Sequence, residues 1–111
     1  TYQAFFKEDD FKKYIIIFFL KLDTFKTEID TPFQLVIDFM VEFSIDEEIT
    51  KEFKESNFVK INSPAIGYPY LRACISNLLI NNGYNSVHLP SINFVGSHEK
   101  IFKGVVDILD E

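Results

Sequence analysis

Cysteine, arginine and tryptophan are nearly missing from this chain: Cys74 and Arg72 stand alone, and there is no Trp. A lone thiol forms no internal disulfide. With Ala73, Ile75 and Leu78 around it, Cys74 reads as a buried helical thiol rather than a nucleophile. One guanidinium leaves little with which to clamp phosphate or read base edges, and a net charge of −6 repels a polyanion, so no nucleic-acid role is expected. Glycine and proline number four each. No linker, repeat or low-complexity segment is visible, and 111 residues are expected to form one domain over 1–111. The longest apolar run, Tyr14 to Leu20, falls far short of the roughly 20 residues a membrane span requires. No signal peptide is legible either, so the expectation is a cytoplasmic protein without direct membrane insertion. The chain opens on Thr1, which reads as a trimmed N-terminus.

What is present in excess is aromatic: 13 Phe and 5 Tyr. Hydrophobic residues make up 47% and charged residues 25%, a globular balance in which a core can form. The N-terminal part reads as strands. Tyr2 to Phe6 is a short one, and a second runs from Phe11 or Lys12 to Asp23. Thr24 to Asp30 is a polar connection, and Thr31-Pro32 opens a third. There Phe33, Leu35, Ile37, Phe39, Val41, Phe43 and Ile45 recur at period two, a spacing no single helix face accommodates. Phe33, Phe39 and Phe43 are expected to form a core under helices. The connection lengths suit antiparallel hairpins.

The remainder reads as helices. Ser44 or Asp46 offers an N-cap, followed by Ile45, Ile49 and Phe53 at spacing four, with Glu47 and Lys51 as a favourable pair. Ser63 and Pro64 open the next helix, Pro69 should kink or restart it, and Asn82-Gly83 should close it. Ser97 caps a last helix with Ile101, Phe102, Val105, Val106 and Leu109 as its apolar positions. The fold class expected is α+β: an antiparallel sheet of three to four strands, then two or three helices on one side.

Two of these elements exceed what a short chain can cover. The helix Tyr70 to Asn81 is apolar almost all round, with Leu71, Ile75, Leu78 and Leu79 on one face and Ala73, Cys74 and Ile80 extending it. The strand Tyr14 to Leu20 is apolar on both faces. Left bare, that surface exceeds what soluble monomers show, so a homo-oligomer, dimer or tetramer, is expected with Leu71, Ile75, Leu78 and Leu79 at its interface.

A search for chemistry returns little. His88 and His98 have no Cys or carboxylate at metal-ligand spacing. Asp9-Asp10 and Glu47-Glu48 fall in a turn and a helix start, where acids complement the dipole. Ser76 has no local base, and no Gly-rich phosphate loop occurs. The chain is therefore read as a non-enzyme with no metal and no cofactor. Arg72 is expected to anchor an ion pair between helices or to strand carboxylates.

One stretch carries a family pattern. Asn62-Ser63-Pro64-Ala65-Ile66-Gly67-Tyr68-Pro69-Tyr70-Leu71-Arg72-Ala73-Cys74-Ile75-Ser76-Asn77-Leu78 resembles the signature helix of the protein-export chaperone SecB. Downstream, Leu89-Pro90-Ser91-Ile92-Asn93-Phe94 resembles that family's Leu-x-Pro-(Val/Ile)-Asn-Phe segment, and Phe43-Ser44-Ile45 its strand ending before the helical half. The resemblance implies a bacterial, cytoplasmic fold of four antiparallel strands with helices on one side, in paired subunits whose long helices lie between sheets. It implies an ATP-independent holdase that binds unfolded polypeptide clients in aromatic-lined grooves and passes them to SecA. Some relatives instead guard an antitoxin. The groove candidates on this sequence are Phe53, Phe58, Ile66, Tyr68, Ile92 and Phe94, with core burial the competing reading for each. Only three strands are legible, which leaves open that the first is missing. The acidic SecA surface has no residue-by-residue match, although Asp23, Asp38 and Glu42 place carboxylates on strands. The alternatives are an oligomer dedicated to one partner such as an antitoxin, or a non-catalytic structural protein; a small-molecule-binding or catalytic domain ranks behind them.

Overall fold

The computed structural model describes residues 1–7, 10–24, 33–84 and 89–108. Asp9, the Thr31-Pro32 opening, most of the polar connection before it, His88 and Leu109 lie outside them. Strands β1 (Tyr2–Lys7), β2 (Lys13–Asp23) and β3 (Gln34–Ser44) form an antiparallel meander. A short helix α1 (Lys51–Lys54) and a π-helical turn (Phe58–Asn62) lead into a long bent helix α2 (Ser63–Asn81). A second short helix α3 (Phe94–Ile101) runs directly into β4 (Phe102–Ile108). The sheet order is β3-β2-β1-β4.

Period-two alternation places β1, β2 and β3 as expected. Tyr2, Ala4 and Phe6 of β1 and Tyr14, Ile16 and Phe18 of β2 are buried on one face. Leu35, Ile37, Phe39, Val41 and Phe43 of β3 extend that face under the helices. Each fully buried large side chain contributes about 1.5–3 kcal/mol, so this face is the main source of stability. Against it α2 sets Tyr68, Leu71, Ile75 and Leu79. The approach is close at Gly67, where an added Cβ would lie 3.1 Å from Phe18 and 3.2 Å from Val41. β2 and β3 outrun β1, so Leu20–Asp23 and Gln34–Ile37 form a two-stranded arm. Its end is tied by Thr24 and Phe33, whose backbone amide donates to Thr24 Oγ1 at 2.8 Å, with Tyr84 against the Phe33 ring.

The α+β class holds, with the helices on one face, and the fourth strand is where the structure departs from the sequence reading. Residues 102–108, expected as the end of a helix, pair parallel to β1 instead. The ladder shifts register between Tyr2 and Ala4, where Gly104 adopts a φ of 97°. The extra bulge residue puts Phe102 and Val105 on the core side together. A strand interrupted this way acquires an i, i+3 spacing and mimics a helix.

Two helix starts also move. Residues 45–50 are not helical: Ile45 and Ile49 donate their amides to the carbonyls of Lys12 and Phe11, at 2.8 and 2.6 Å. That pairing delays the helix until Thr50, whose hydroxyl accepts from the Phe53 amide at 3.1 Å. Ser63 is no N-cap. Its hydroxyl is buried, donates to the Phe58 carbonyl at 2.9 Å and therefore accepts from the Tyr14 hydroxyl at 2.6 Å. The helix runs on through Pro69 without restarting and closes as expected: Gly83 (φ 82°) and Tyr84 donate to Ile80 and Leu79, a Schellman arrangement.

Three buried tyrosines tie sheet to helices and set an alkaline limit. Tyr2 donates to the Lys60 carbonyl, and burial pushes its phenol up to about 12. Burial also raises Tyr14, opposed by its bond to Ser63, and Tyr68, opposed by Arg72. A raised phenol binds its proton more tightly when folded, so its contribution is whole below the unfolded value of 10.0 and is lost as pH climbs toward about 12. Far-ultraviolet circular dichroism should stay flat to that lower value and collapse above it, with phenolate absorbance of these residues rising only as the fold is lost. Complete phenolate formation near 10 in an intact fold would contradict this.

Candidate functional site

The aromatic residues gather in two clusters on the helical side of the sheet. At the end where β1 turns into β2, Tyr14 stacks on Phe6 (5.2 Å) and Phe43 (5.1 Å), and Phe53 meets its edge at 5.6 Å. Phe58 lies beyond, 5.8 Å from Phe53 and 41% exposed. Alongside runs a cleft of about 680 Å³ with Phe6, Phe11, Ile49 and Val105 as apolar lining and a balanced set of charges, Lys7, Lys51 and Lys54 with Asp10, Glu55 and Asp107. Lys54 is spoken for, bonded to Asp107 at 2.7 Å and lying 5.3 Å from the Phe6 ring centre.

The second cluster is Tyr2, Phe18, Tyr68, Phe94 and Phe102, with ring centres 5.2–6.3 Å apart. Tyr68 donates to the Pro90 carbonyl at 2.7 Å, which draws the Leu89–Phe94 segment across the helix. A small cavity of about 50 Å³ opens here between Ile92, Phe94, Tyr68 and Phe19. Arg72 lies over the Tyr68 ring at 5.9 Å, a cation–π contact. Among the described residues it joins neither of the ion pairs, Lys13–Glu42 and Lys54–Asp107, so its anchoring role is to an aromatic ring rather than the expected carboxylate.

The six groove candidates therefore do not converge. Phe53 and Phe58 belong to the first cluster; Tyr68, Ile92 and Phe94 belong to the second. Ile66 projects from the opposite face of α2, 51% exposed. Tyr68 and Phe94 are buried by their own chain and have no surface to offer, because their rings complete the contact between α2, the Pro90 segment and β1.

The same correction applies along α2. Leu71, Ile75 and Leu79 are 1%, 0% and 4% exposed within a single chain, so their face is spent on the sheet and cannot meet a partner. Of the four interface candidates only Leu78 reaches solvent. The outward stripe is Ile66, Tyr70, Ala73, Asn77 and Ile80, at helical spacings of three and four. Tyr70 (66% exposed) and Ile80 (55%) were not assigned there from sequence. A helix apolar on every side gives no amphipathic signal to say which side faces in.

Across the sheet, the face away from the helices is also apolar at its centre. Phe5, Ile15, Ile17 and Phe19 are half-buried, and Met40 and Val36 of β3 are exposed. This chain thus presents apolar side chains on both broad sides, and it joins them to a signature helix and a Pro90 segment that are held together by Tyr68. The family model of the preprotein translocase subunit SecB matches residues 9–103. The chain belongs to the SecB family.

The matched residues take in β2, β3 and all three helices, whereas β1 and β4 beyond Lys103 lie outside. The chain is also similar to an uncharacterized protein of the archaeon Methanocaldococcus jannaschii, 31% identical over 91 residues, which cover 82% of this chain and 57% of that protein. It thus spans little more than half of that relative's length. The relative is archaeal, so a bacterial source does not follow from the family. No solved structure matches the chain. Among the described residues, no helix is long and apolar enough to cross a membrane.

Proposed function

We propose that this protein is a cytoplasmic, ATP-independent holdase that binds unfolded or pre-secretory polypeptides on apolar surface displayed by a homo-oligomer. The observation that carries this reading is what remains after the core is filled. Phe58, Ile66, Tyr70, Leu78, Ile80 and Val95 are all exposed on the helical side, and large apolar side chains left outside the core mark contact sites where they adjoin. Client contact is assigned to Phe58 and Ile66 with the half-buried Phe53 and Ile92; Tyr68 and Phe94 support them from beneath. Subunit contact is assigned to the outward stripe of α2 around Tyr70, Leu78 and Ile80. Large apolar contacts without a fixed polar code suit many clients, and burial at about 25 cal/mol per Å² is offset by ordering both partners.

The test is light scattering from a chemically denatured protein diluted into buffer without nucleotide. Added at a several-fold excess, this protein should slow aggregation of several unrelated clients. Suppression confined to one protein would point instead to a dedicated partner such as an antitoxin, and no suppression at all would remove the holdase reading.

A further inference from the structure

We infer that residues 105–108 form a hinged strap, which swings at Gly104 and uncovers the apolar cleft beside Phe6. This inference rests on the holdase reading and names a control over its client surface, because Phe6 joins that cleft to the cluster of Tyr14, Phe53 and Phe58. The two halves of β4 are held differently. Phe102 is fixed: it follows α3 without a break, and its ring lies 5.2 Å from that of Tyr2. Gln3 adds a bond to the Lys103 carbonyl at 3.3 Å. Beyond Gly104 the hold is slight. Val105 and Asp107 lie opposite Ala4 and Phe6, so they shield buried residues of β1, yet no residue of β4 is itself fully buried. The ladder to β1 is parallel, a little weaker per residue than an antiparallel one, and its register breaks between Tyr2 and Ala4. Segments with few buried apolar contacts are the ones that open locally while the rest of a fold stays closed.

One polar contact closes the strap. Lys54 of α1 reaches past the Phe6 ring, 5.3 Å from its centre, to Asp107 at 2.7 Å. Asp107 and Val105 line the cleft together with Phe6. When the pair breaks, that part of the wall leaves with the strap and the flank of Phe6 is bared. Both partners are partly exposed, so the hold is modest and salt weakens it. Gly104 supplies the pivot. Its φ of 97° is open to glycine and strained for other residues, and a Cβ built there meets nothing within 4 Å. Substitution at Gly104 therefore acts through the backbone alone.

Hydrogen exchange on the intact protein, read by mass spectrometry, tests this. Residues 105–108 should exchange faster than β2, and added salt should speed them while β2 is unchanged. Lys54→Glu should speed their exchange by about three- to tenfold. Adding Asp107→Lys to that variant should restore the original rate, because opposite charges face each other again. Gly104→Ala should speed it by about tenfold through backbone strain. Lys54→Glu and Gly104→Ala should each bind more of the apolar dye bis-ANS, and the charge-swapped variant should not. Exchange at 105–108 no faster than in β2, or a charge-swapped variant as fast as Lys54→Glu, overturns the inference. Acceleration shared equally by β2 also overturns it, because it reports loss of the whole fold. Aggregation suppression on the same samples separates the two readings, and Lys54→Glu should reach half-suppression at a lower dose than the unmodified protein. No suppression by any sample removes the holdase reading and leaves the strap. Equal suppression by all samples, with exchange as described, removes the strap's control over clients.

Discussion

Ile75→Ala is expected to destabilise the fold by about 2–5 kcal/mol and to lower the melting temperature by roughly 8–20 °C. Ile75 has no exposed surface and sits with Leu71 and Leu79 on the face of α2 that meets the sheet. Removing its outer methyl and methylene groups leaves a void, because Gly67 already brings α2 as near to Phe18 and Val41 as those side chains allow. Ile66→Ala on the same helix, 51% exposed, should change stability by no more than about 0.5 kcal/mol. Thermal melts of the two variants at one protomer concentration therefore report which side of α2 is inward. Equal and small losses would mean that Ile75 is not core.

The second large effect concerns the other side of that helix. By light scattering the protein should have a mass that is a dimeric or tetrameric multiple of 13.0 kDa. Tyr70→Glu combined with Ile80→Glu should reduce it to the single-chain value. Both residues project outward and are more than half exposed in one subunit, so the carboxylates are well solvated there and the fold survives. Closing a second subunit over them strips that water, at an effective cost of several kcal/mol for each charge, which outweighs what the buried apolar atoms contributed. A single-chain mass for the unmodified protein would remove the oligomer. An unchanged mass in the variant would move the contact elsewhere, with the apolar outer face of β1 and β2 the next place to look.

Much of the sheet could be read directly. Tyr2–Phe6, the segment ending at Asp23 and the alternation from Phe33 to Ile45 each resolve into a strand because period two is a property of the backbone at that position and needs no partner to be visible. The cap at Asn82-Gly83 is equally local. The segments that misled do so for non-local reasons. Ile45 and Ile49 keep helical spacing but are held extended by carbonyls more than thirty positions earlier. Ser63 has the character of a cap, yet Tyr14 claims its hydroxyl from across the core.

The candidate site divides along the same line. The motif from Asn62 to Phe94 marks the family from its residue types alone, and the abundance of apolar residues signals surface beyond what one core consumes. Which of those residues remain available was decided by tertiary structure. Tyr68, Leu71, Ile75, Leu79 and Phe94 are consumed, and Ile66, Tyr70, Leu78 and Ile80 are left over, because a helix with no polar side acquires an inside only when a sheet is laid against it. β4 follows the same logic: Phe102 to Ile108 has a weak local pattern, broken at Gly104, and becomes a strand because β1 presents an open row of backbone groups that those residues complete.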